Sequence, residues 1–299
     1  MTMKWQGVMP AITTGFKEDL SIDHEFVARH VTWLVDNGCT GIVTPGSLGE
    51  GNTLTFEERA ALWQTVVGAV GDRVPVVAAI SALSTAEAVE QSKTAANKGC
   101  QGLMVLPPYV YKGDWREMKA HVAACFKATT LSCMLYNNPV AYGTDFIPEQ
   151  IQELADEFEN FQSVKESSTD VRRVTAIKAL VGDRLDLFVG VDDAIVEAIP
   201  VGAVGWVAGL VNAFPKESVD LFNYTVQGDM EKALPLYHWF LPLLRLDTVP
   251  KFVQLIKLVQ QAVGMGNPRV RPPRLKLVGT ELEQTMALIQ TSLQNRPVV

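Results

Sequence analysis

Short apolar runs alternate with amphipathic stretches along the first two-thirds of this chain, and the alternation predicts strands and helices in turn. The runs at residues 7–13, 41–45, 74–80, 102–106, 132–136, 162–165, 185–189 and 203–208 are rich in Val, Ile and Leu on both faces. Strands of a parallel sheet covered on both sides read this way. Between them, Phe26, Val27, Val31, Leu34 and Val35 form one helical stripe, which Asn37-Gly38 ends. Three further helices open with capping pairs: Thr55 with Glu58, Ser84 with Glu87, and Asp114 with Glu117.

One turn recurs at three strand entrances, as Gly38-Cys39-Thr40-Gly41, Gly99-Cys100-Gln101-Gly102 and Gly202-Ala203-Val204-Gly205. The first glycine closes a helix and the second lets the backbone turn into a strand. Repetition of the turn points to a single βα architecture, and eight units predict a (β/α)8 TIM barrel, an α/β fold of about 250 residues. A doubly wound sheet is the rival, but no glycine-rich dinucleotide loop follows the first strand. Beyond residue ~210 only helical patterns remain, with Phe252, Leu255, Ile256 and Val259 on one face. The expected division is a catalytic barrel over 1–214 and a helical region over 215–299 packed on it.

The chain has 299 residues, 47% of them apolar, enough for so large a core. A net charge of −7 with scattered basic residues leaves no electrostatic footprint for nucleic acid. The most basic stretch, Arg269-Val270-Arg271-Pro272-Pro273-Arg274-Leu275-Lys276, is short and proline-interrupted, and reads as a rigid connection before the last helix. The first residues lack a signal-peptide pattern and no window nears 18 uninterrupted apolar residues, so a cytoplasmic protein without a membrane partner is expected. Cys39, Cys100, Cys125 and Cys133 are widely spaced, as small buried hydrophobes in a reducing compartment would be, and suggest no metal site.

A barrel's chemistry lies at the C-terminal ends of its strands. Lys165 ends the sixth apolar run. A lysine there either lays its stem on apolar surface and reaches water, or is desolvated into a nucleophilic amine that attacks a carbonyl carbon. Strand 2 exits into Gly46-Ser47-Leu48-Gly49-Glu50-Gly51, whose backbone N–H groups offer a cradle for a carboxylate, although a plain turn would read alike. Strand 5 exits into Tyr136-Asn137-Asn138-Pro139, where the phenol is either an acid–base group or a core aromatic. Asp192 and Asp193 follow strand 7 and could merely cap a helix. Gly205-Trp206-Val207-Ala208-Gly209 after strand 8 leaves room for a ligand beside Val207. Nucleophile, phenol and cradle on one face make the constellation of Schiff-base catalysis on a small 2-oxo acid.

Gly46-Ser47-Leu48-Gly49-Glu50, Tyr136-Asn137-Asn138-Pro139 and Val164-Lys165-Glu166, in this order and spacing, resemble the dihydrodipicolinate synthase / N-acetylneuraminate lyase family of class I aldolases over nearly the whole chain. The resemblance implies that Lys165 forms the Schiff base, that Tyr136 relays protons, and that Ser47 with adjacent N–H groups binds the carboxylate. It also implies a homotetramer (a dimer of dimers) without metal or organic cofactor, in which a tyrosine of a neighbouring subunit enters through the strand-4 loop, here carrying Tyr109 and Tyr111.

Three departures bear on the substrate: Leu48 replaces the family's second threonine, Val110 its second consecutive tyrosine, and Pro139-Val140-Ala141-Tyr142-Gly143-Thr144 lacks its arginine. An arginine–carboxylate pair is hard to replace. The expectation is therefore a catabolic aldolase, dehydratase or deaminase of a hydroxylated 2-oxo or pyrroline carboxylic acid, and a poor dihydrodipicolinate synthase. The biosynthetic enzyme, 4-hydroxy-tetrahydrodipicolinate synthase, is the alternative. A catalytically silent ligand-binding protein is a second, against which the completeness of Lys165, Tyr136 and Ser47 argues.

Overall fold

The computed structural model describes residues 3–109 and 111–297. Its sheet has eight parallel strands: β1 (Gly7–Val8), β2 (Ile42–Thr44), β3 (Val76–Ile80), β4 (Gly102–Val105), β5 (Ser132–Asn137), β6 (Phe161–Glu166), β7 (Asp186–Val189) and β8 (Ala203–Trp206). Between them run α1 (His24–Asp36), α2 (Phe56–Val70), α3 (Thr85–Asn97), α4 (Trp115–Lys127), α5 (Pro139–Tyr142), α6 (Pro148–Glu157), α7 (Arg172–Val181) and α8 (Ile195–Ala198). Four helices complete the chain: α9 (Pro215–Gln227), α10 (Met230–Leu244), α11 (Phe252–Ala262) and α12 (Gly279–Gln294).

Strands β2 to β8 pair in sequence order, and β1 pairs with β8. The first strand is shorter than the expected 7–13 because Pro10 has no N–H to give to a ladder. The chain nevertheless continues along the sheet. Ala11 N–H bonds the Ala208 carbonyl at 2.9 Å, while Val43 N–H bonds Pro10 and Ile12 N–H bonds Val43, so the eight strands curl into a TIM-type barrel.

Alternation along each strand divides the apolar residues into two cores. Val77, Ala79, Met104, Met134, Tyr136 and Phe188 point into the barrel, and Val76, Ala78, Leu103, Leu135, Val164 and Leu187 point to the helices. Runs apolar on both faces were the sequence mark of this arrangement. Thr55 with Glu58 and Asp114 with Glu117 form reciprocal capping boxes. Ser84 accepts the Glu87 N–H, but the Glu87 carboxylate accepts from Gln91 instead. Gly38, Gly99 and Gly202 all have positive φ (94°, 87° and 116°), the helix-ending conformation expected of the repeated turn.

Helix α9 packs against β1, so the expected division at 214/215 falls between β8 and the helix that follows it on the ring. Helix α10 packs on α9, α12 packs on α10 and α11, and α11 reaches the strand-exit loops through Lys257 and Gln260. Helix α11 is buried on most of its surface rather than on one face, with Val253, Leu258 and even Lys257 covered. All four cysteines are buried and free, and burial pushes the thiols of Cys39, Cys100 and Cys125 up to about 12. No helix among the described residues is long and apolar enough to cross a membrane.

Candidate active site

A cavity of about 570 Å³ opens at the C-terminal ends of the strands, within the usual range for small-molecule sites. Lys165, Tyr136, Gly46, Ser47, Leu48, Tyr109 and Val207 all line it. Strand register explains the pairing at its centre. Tyr136 of β5 stands opposite Lys165 of β6, and both side chains take the inward face. Lys165 is 6% exposed, its Nζ lies 4.1 Å from the centre of the Tyr136 ring, and it makes no ion pair among the described residues. Gly190, just past β7, makes room for it, since a Cβ there would collide with Lys165 Cε and Ser167 Oγ.

The neighbouring Glu166 points the other way, into the helix layer, as alternation requires. It accepts from Asn137 Nδ2 at 3.0 Å and from the Ser168 N–H at 2.7 Å. Burial raises its pKa, and those hydrogen bonds and Arg173 oppose the rise. Lys165 is thereby held by a strand anchored on its outer face.

The glycine loop is tied from below. Glu50, in the left-handed region at φ 54°, accepts from Lys257 Nζ at 2.5 Å and from the Arg271 N–H at 2.9 Å. Both charged side chains of the Glu50–Lys257 pair are almost wholly buried. Burial lowers Lys257 to about 8 against the opposing pull of Glu50. Above this base, the N–H groups of Ser47 and Leu48 make no hydrogen bond among the described residues, which leaves them free for a carboxylate.

Tyr142, to which the sequence pattern assigns no role, joins the two halves of the site. Asn138 caps α5 by accepting the Ala141 N–H, with Pro139 in the first turn, and this one-turn helix returns Tyr142 to the cavity. Its hydroxyl bonds Ser47 Oγ, and its ring meets Tyr136 edge-on at 5.8 Å. Burial, and next the charge of a Tyr136 phenolate, push the Tyr142 phenol well above its ordinary range. Tyr136 accepts from Asn138 Nδ2 at 3.0 Å, not from backbone. A cap residue followed by proline was the signal that could have found Tyr142.

Other expectations need correction. Tyr111 is 59% exposed and lies outside the cavity of its own chain, whereas Tyr109 lines it, so within one chain the strand-4 loop supplies Tyr109. The departure at Val110 lies outside the described residues. After strand 8, Gly205 gives its space to the Phe188 ring and Gly209 to Asp247, while Val207 and Gly209 line the cavity. Asp192 does not cap the helix that follows it, but accepts from the N–H groups of Gly209 and Leu210 just past the neighbouring strand β8. The strand-5 loop has no arginine, but Arg274 lines the cavity beside Asn52, with Nη1 3.4 Å from Asn52 Oδ1. Arg274 and Asp247 come from the C-terminal region, and no local pattern tied either to the barrel mouth.

A lysine sheltered under a phenol, beside donors for a carboxylate, can condense with a 2-oxo acid while the phenol moves protons. On a parallel barrel that is the chemistry of class I, Schiff-base lyases. The sequence model of the Dihydrodipicolinate synthetase family matches residues 4–292, and the chain belongs to this family of Schiff-base lyases. Among curated proteins it is similar to the 4-hydroxy-tetrahydrodipicolinate synthase of Methanococcus vannielii, 31% identical over 268 residues, covering 90% of this chain and 92% of that one. The synthase of Caldicellulosiruptor saccharolyticus is 30% identical, with 97% and 96% covered. Among solved structures, a dihydrodipicolinate synthase of Bacillus anthracis superposes with a TM-score of 0.93 at 29% identity over 100% of both chains. YagE, an E. coli prophage protein of the same family solved in complex with pyruvate, superposes with a TM-score of 0.91 at 26% identity, covering 97% and 99%.

Proposed function

We propose that the protein forms a Schiff base between Lys165 and a pyruvate-type 2-oxo acid. The observation that carries the reading is the position of Lys165 Nζ, buried 4.1 Å from the Tyr136 ring in a cavity that also holds free N–H donors. The 2-oxo acid's carboxylate rests on Ser47 and the N–H groups of Ser47 and Leu48. Its ketone carbon is attacked by the amine, and water leaves as the imine forms. Tyr136 passes protons to and from this centre, and Tyr142 extends the path to Ser47. This relay is complete within one chain. On the family likeness we also propose a homotetramer, which sedimentation would test.

For the second step, the names of the relatives favour condensation of pyruvate with aspartate semialdehyde, the 4-hydroxy-tetrahydrodipicolinate synthase reaction. Arg274 supports this reading, because it gives the semialdehyde's carboxylate a cationic partner in the cavity wall. A different observation favours a catabolic lyase of a hydroxylated 2-oxo or pyrroline carboxylic acid. Leu48, Val140 and Ala141 make one wall apolar, suited to a substrate with few polar contacts there.

Borohydride reduction with pyruvate, followed by mass spectrometry, tests the first step. The adduct mass is expected on Lys165, and label on another lysine or on none would overturn the assignment. Turnover of aspartate semialdehyde plus pyruvate, measured beside a panel of 4-hydroxy-2-oxo acids and pyrroline carboxylates, separates the two second steps.

A further inference from the structure

Between α10 and α11 the chain makes a short turn, Arg245–Asp247, that packs on Asp192–Ala194 at the end of β7. The turn delivers Asp247 to the catalytic cavity, where it lines the wall with Lys165, Gly190 and Gly209. Asp247 is half-buried as a residue, yet its Oδ1 has no exposed surface and no hydrogen-bond partner. A carboxyl oxygen buried without a partner disfavours the charged form, and the exposed remainder of the residue opens on the cavity. Its carboxyl lies directly against Gly209, where any Cβ would collide with Oδ1.

A second carboxyl also meets Gly209, at its N–H. Asp192 accepts the Gly209 N–H at 3.0 and 3.1 Å and the Leu210 N–H at 2.7 Å. Burial raises Asp192 to about 6, and those N–H groups and the charge of Lys165 oppose the rise. Burial, then the charge of Asp192, push Asp247 well above the ordinary carboxylate range; Lys165 pulls the other way and Asp193 adds to the rise. Two neighbouring buried carboxyls do not both ionise readily. Asp192 has the donors and takes the charge, while Asp247 has none and keeps the proton. Separate environments thus give two like residues opposite roles.

We infer that Asp247 is a further catalytic residue, the general acid that protonates the oxygen on C4 of the chain bound to Lys165. The inference rests on the Schiff-base reading. In aldol addition, the enamine carbon C3 bonds to the aldehyde carbon, the carbonyl π pair moves to its oxygen, and Asp247 supplies the proton that makes it a hydroxyl. In water loss, C3 first gives a proton to the Tyr136 relay. The enamine pair then forms the C3–C4 double bond, the C4–O bond breaks, and the oxygen leaves as water with the Asp247 proton. Either way Asp247 ends as a carboxylate and is reprotonated by solvent. The acid has no part in reactions of pyruvate alone, which has no C4.

That difference supplies the test. Deuterium exchange at the methyl of pyruvate, followed by NMR in D2O, reports imine and enamine formation at Lys165. Turnover of pyruvate plus aspartate semialdehyde, and of 4-hydroxy-2-oxo acids, reports the C4 step. In Asp247→Asn, exchange should stay within about twofold while C4 turnover falls roughly 10²–10⁴-fold, the span of general acids. Gly209→Ala, which displaces the Asp247 carboxyl, should reproduce the split if the Asn variant does not fold. Parallel loss of both activities in the two variants would mean that Asp247 only supports Lys165, and equal retention would mean that it does nothing; either overturns the inference. It is overturned as well if the parent exchanges pyruvate's methyl but turns over no C4-oxygenated probe. Absence of exchange in the parent would instead refute the Schiff-base reading itself.

Discussion

Tyr142 and Ser47 share a hydrogen bond across 95 residues of sequence, joining the strand-5 exit to the glycine loop. The Tyr136 ring lies edge-on to Tyr142, and the proposed proton relay runs through these three residues. Tyr136→Phe should lower kcat roughly 10²–10⁴-fold, and Tyr142→Phe should lower it too. The double variant should lose little beyond the worse single one, since groups acting as a unit are not additive. Additive losses in steady-state kinetics would break the path. If the relay is complete within one chain, Tyr111→Phe should keep kcat within about twofold, and a loss like that of Tyr136→Phe would instead show a tyrosine entering from a neighbouring subunit.

Lys165→Arg should abolish both borohydride trapping and turnover, because a guanidinium stays protonated and cannot form the imine. Gly190→Ala keeps the lysine but drives a methyl into its stem. The rate of adduct formation with pyruvate should then fall by roughly 10²-fold, the effect of misplacing a reacting group by about an ångström. Unchanged trapping in the Ala variant would show that the stem has room to move.

Lys257→Met leaves the Glu50 carboxylate buried without its partner. Urea unfolding should show a loss of about 3–5 kcal/mol, and the paired change Glu50→Gln with Lys257→Met a smaller one. Both variants should also raise KM for the 2-oxo acid, since Glu50 anchors the loop bearing Ser47 and Leu48. A stability loss with normal KM would separate the pair from the cradle.

His30 gives an acid-sensitive contribution. It is fully buried, with Nε2 against the Asn212 carbonyl at 3.0 Å and Nδ1 without a partner. Burial lowers it from 6.5 to about 4. Between those values the unfolded chain binds the extra proton, so the contribution is full above pH 6.5 and is lost as pH falls through 4. The difference amounts to about 3 kcal/mol. Unfolding free energies of the parent should therefore fall more steeply from pH 6.5 to 4 than those of His30→Gln. Parallel curves would refute the assignment.

The barrel was legible because its strands are buried on both faces and its glycine turns repeat, both local properties of the chain. Lys165, Tyr136 and Ser47 were legible because strand ends fix where a barrel's site must lie. What local pattern did not reveal came from distant segments. The stripe of Phe252, Leu255, Ile256 and Val259 marked α11 as half-buried, but Lys257 is buried too, because Glu50 waits for it 207 residues earlier. Gly205 and Gly209 looked like open space because the residues that fill it, Phe188 and Asp247, are set by packing rather than by neighbours in sequence. Arg274 is similar: an absence in the strand-5 loop says nothing about what another part of the chain brings to the same cavity.

The tether from Glu50 to Lys257 and Arg271 makes the final quarter of the chain a structural part of the glycine loop. A truncation at Gly228 would spare every strand of the barrel, yet it would remove both donors that hold Glu50 and the residues Asp247 and Arg274. Sequence drift in these last helices can thus retune what the enzyme accepts while the barrel stays the same. Grafting a relative's C-terminal region would therefore carry part of that relative's specificity with it.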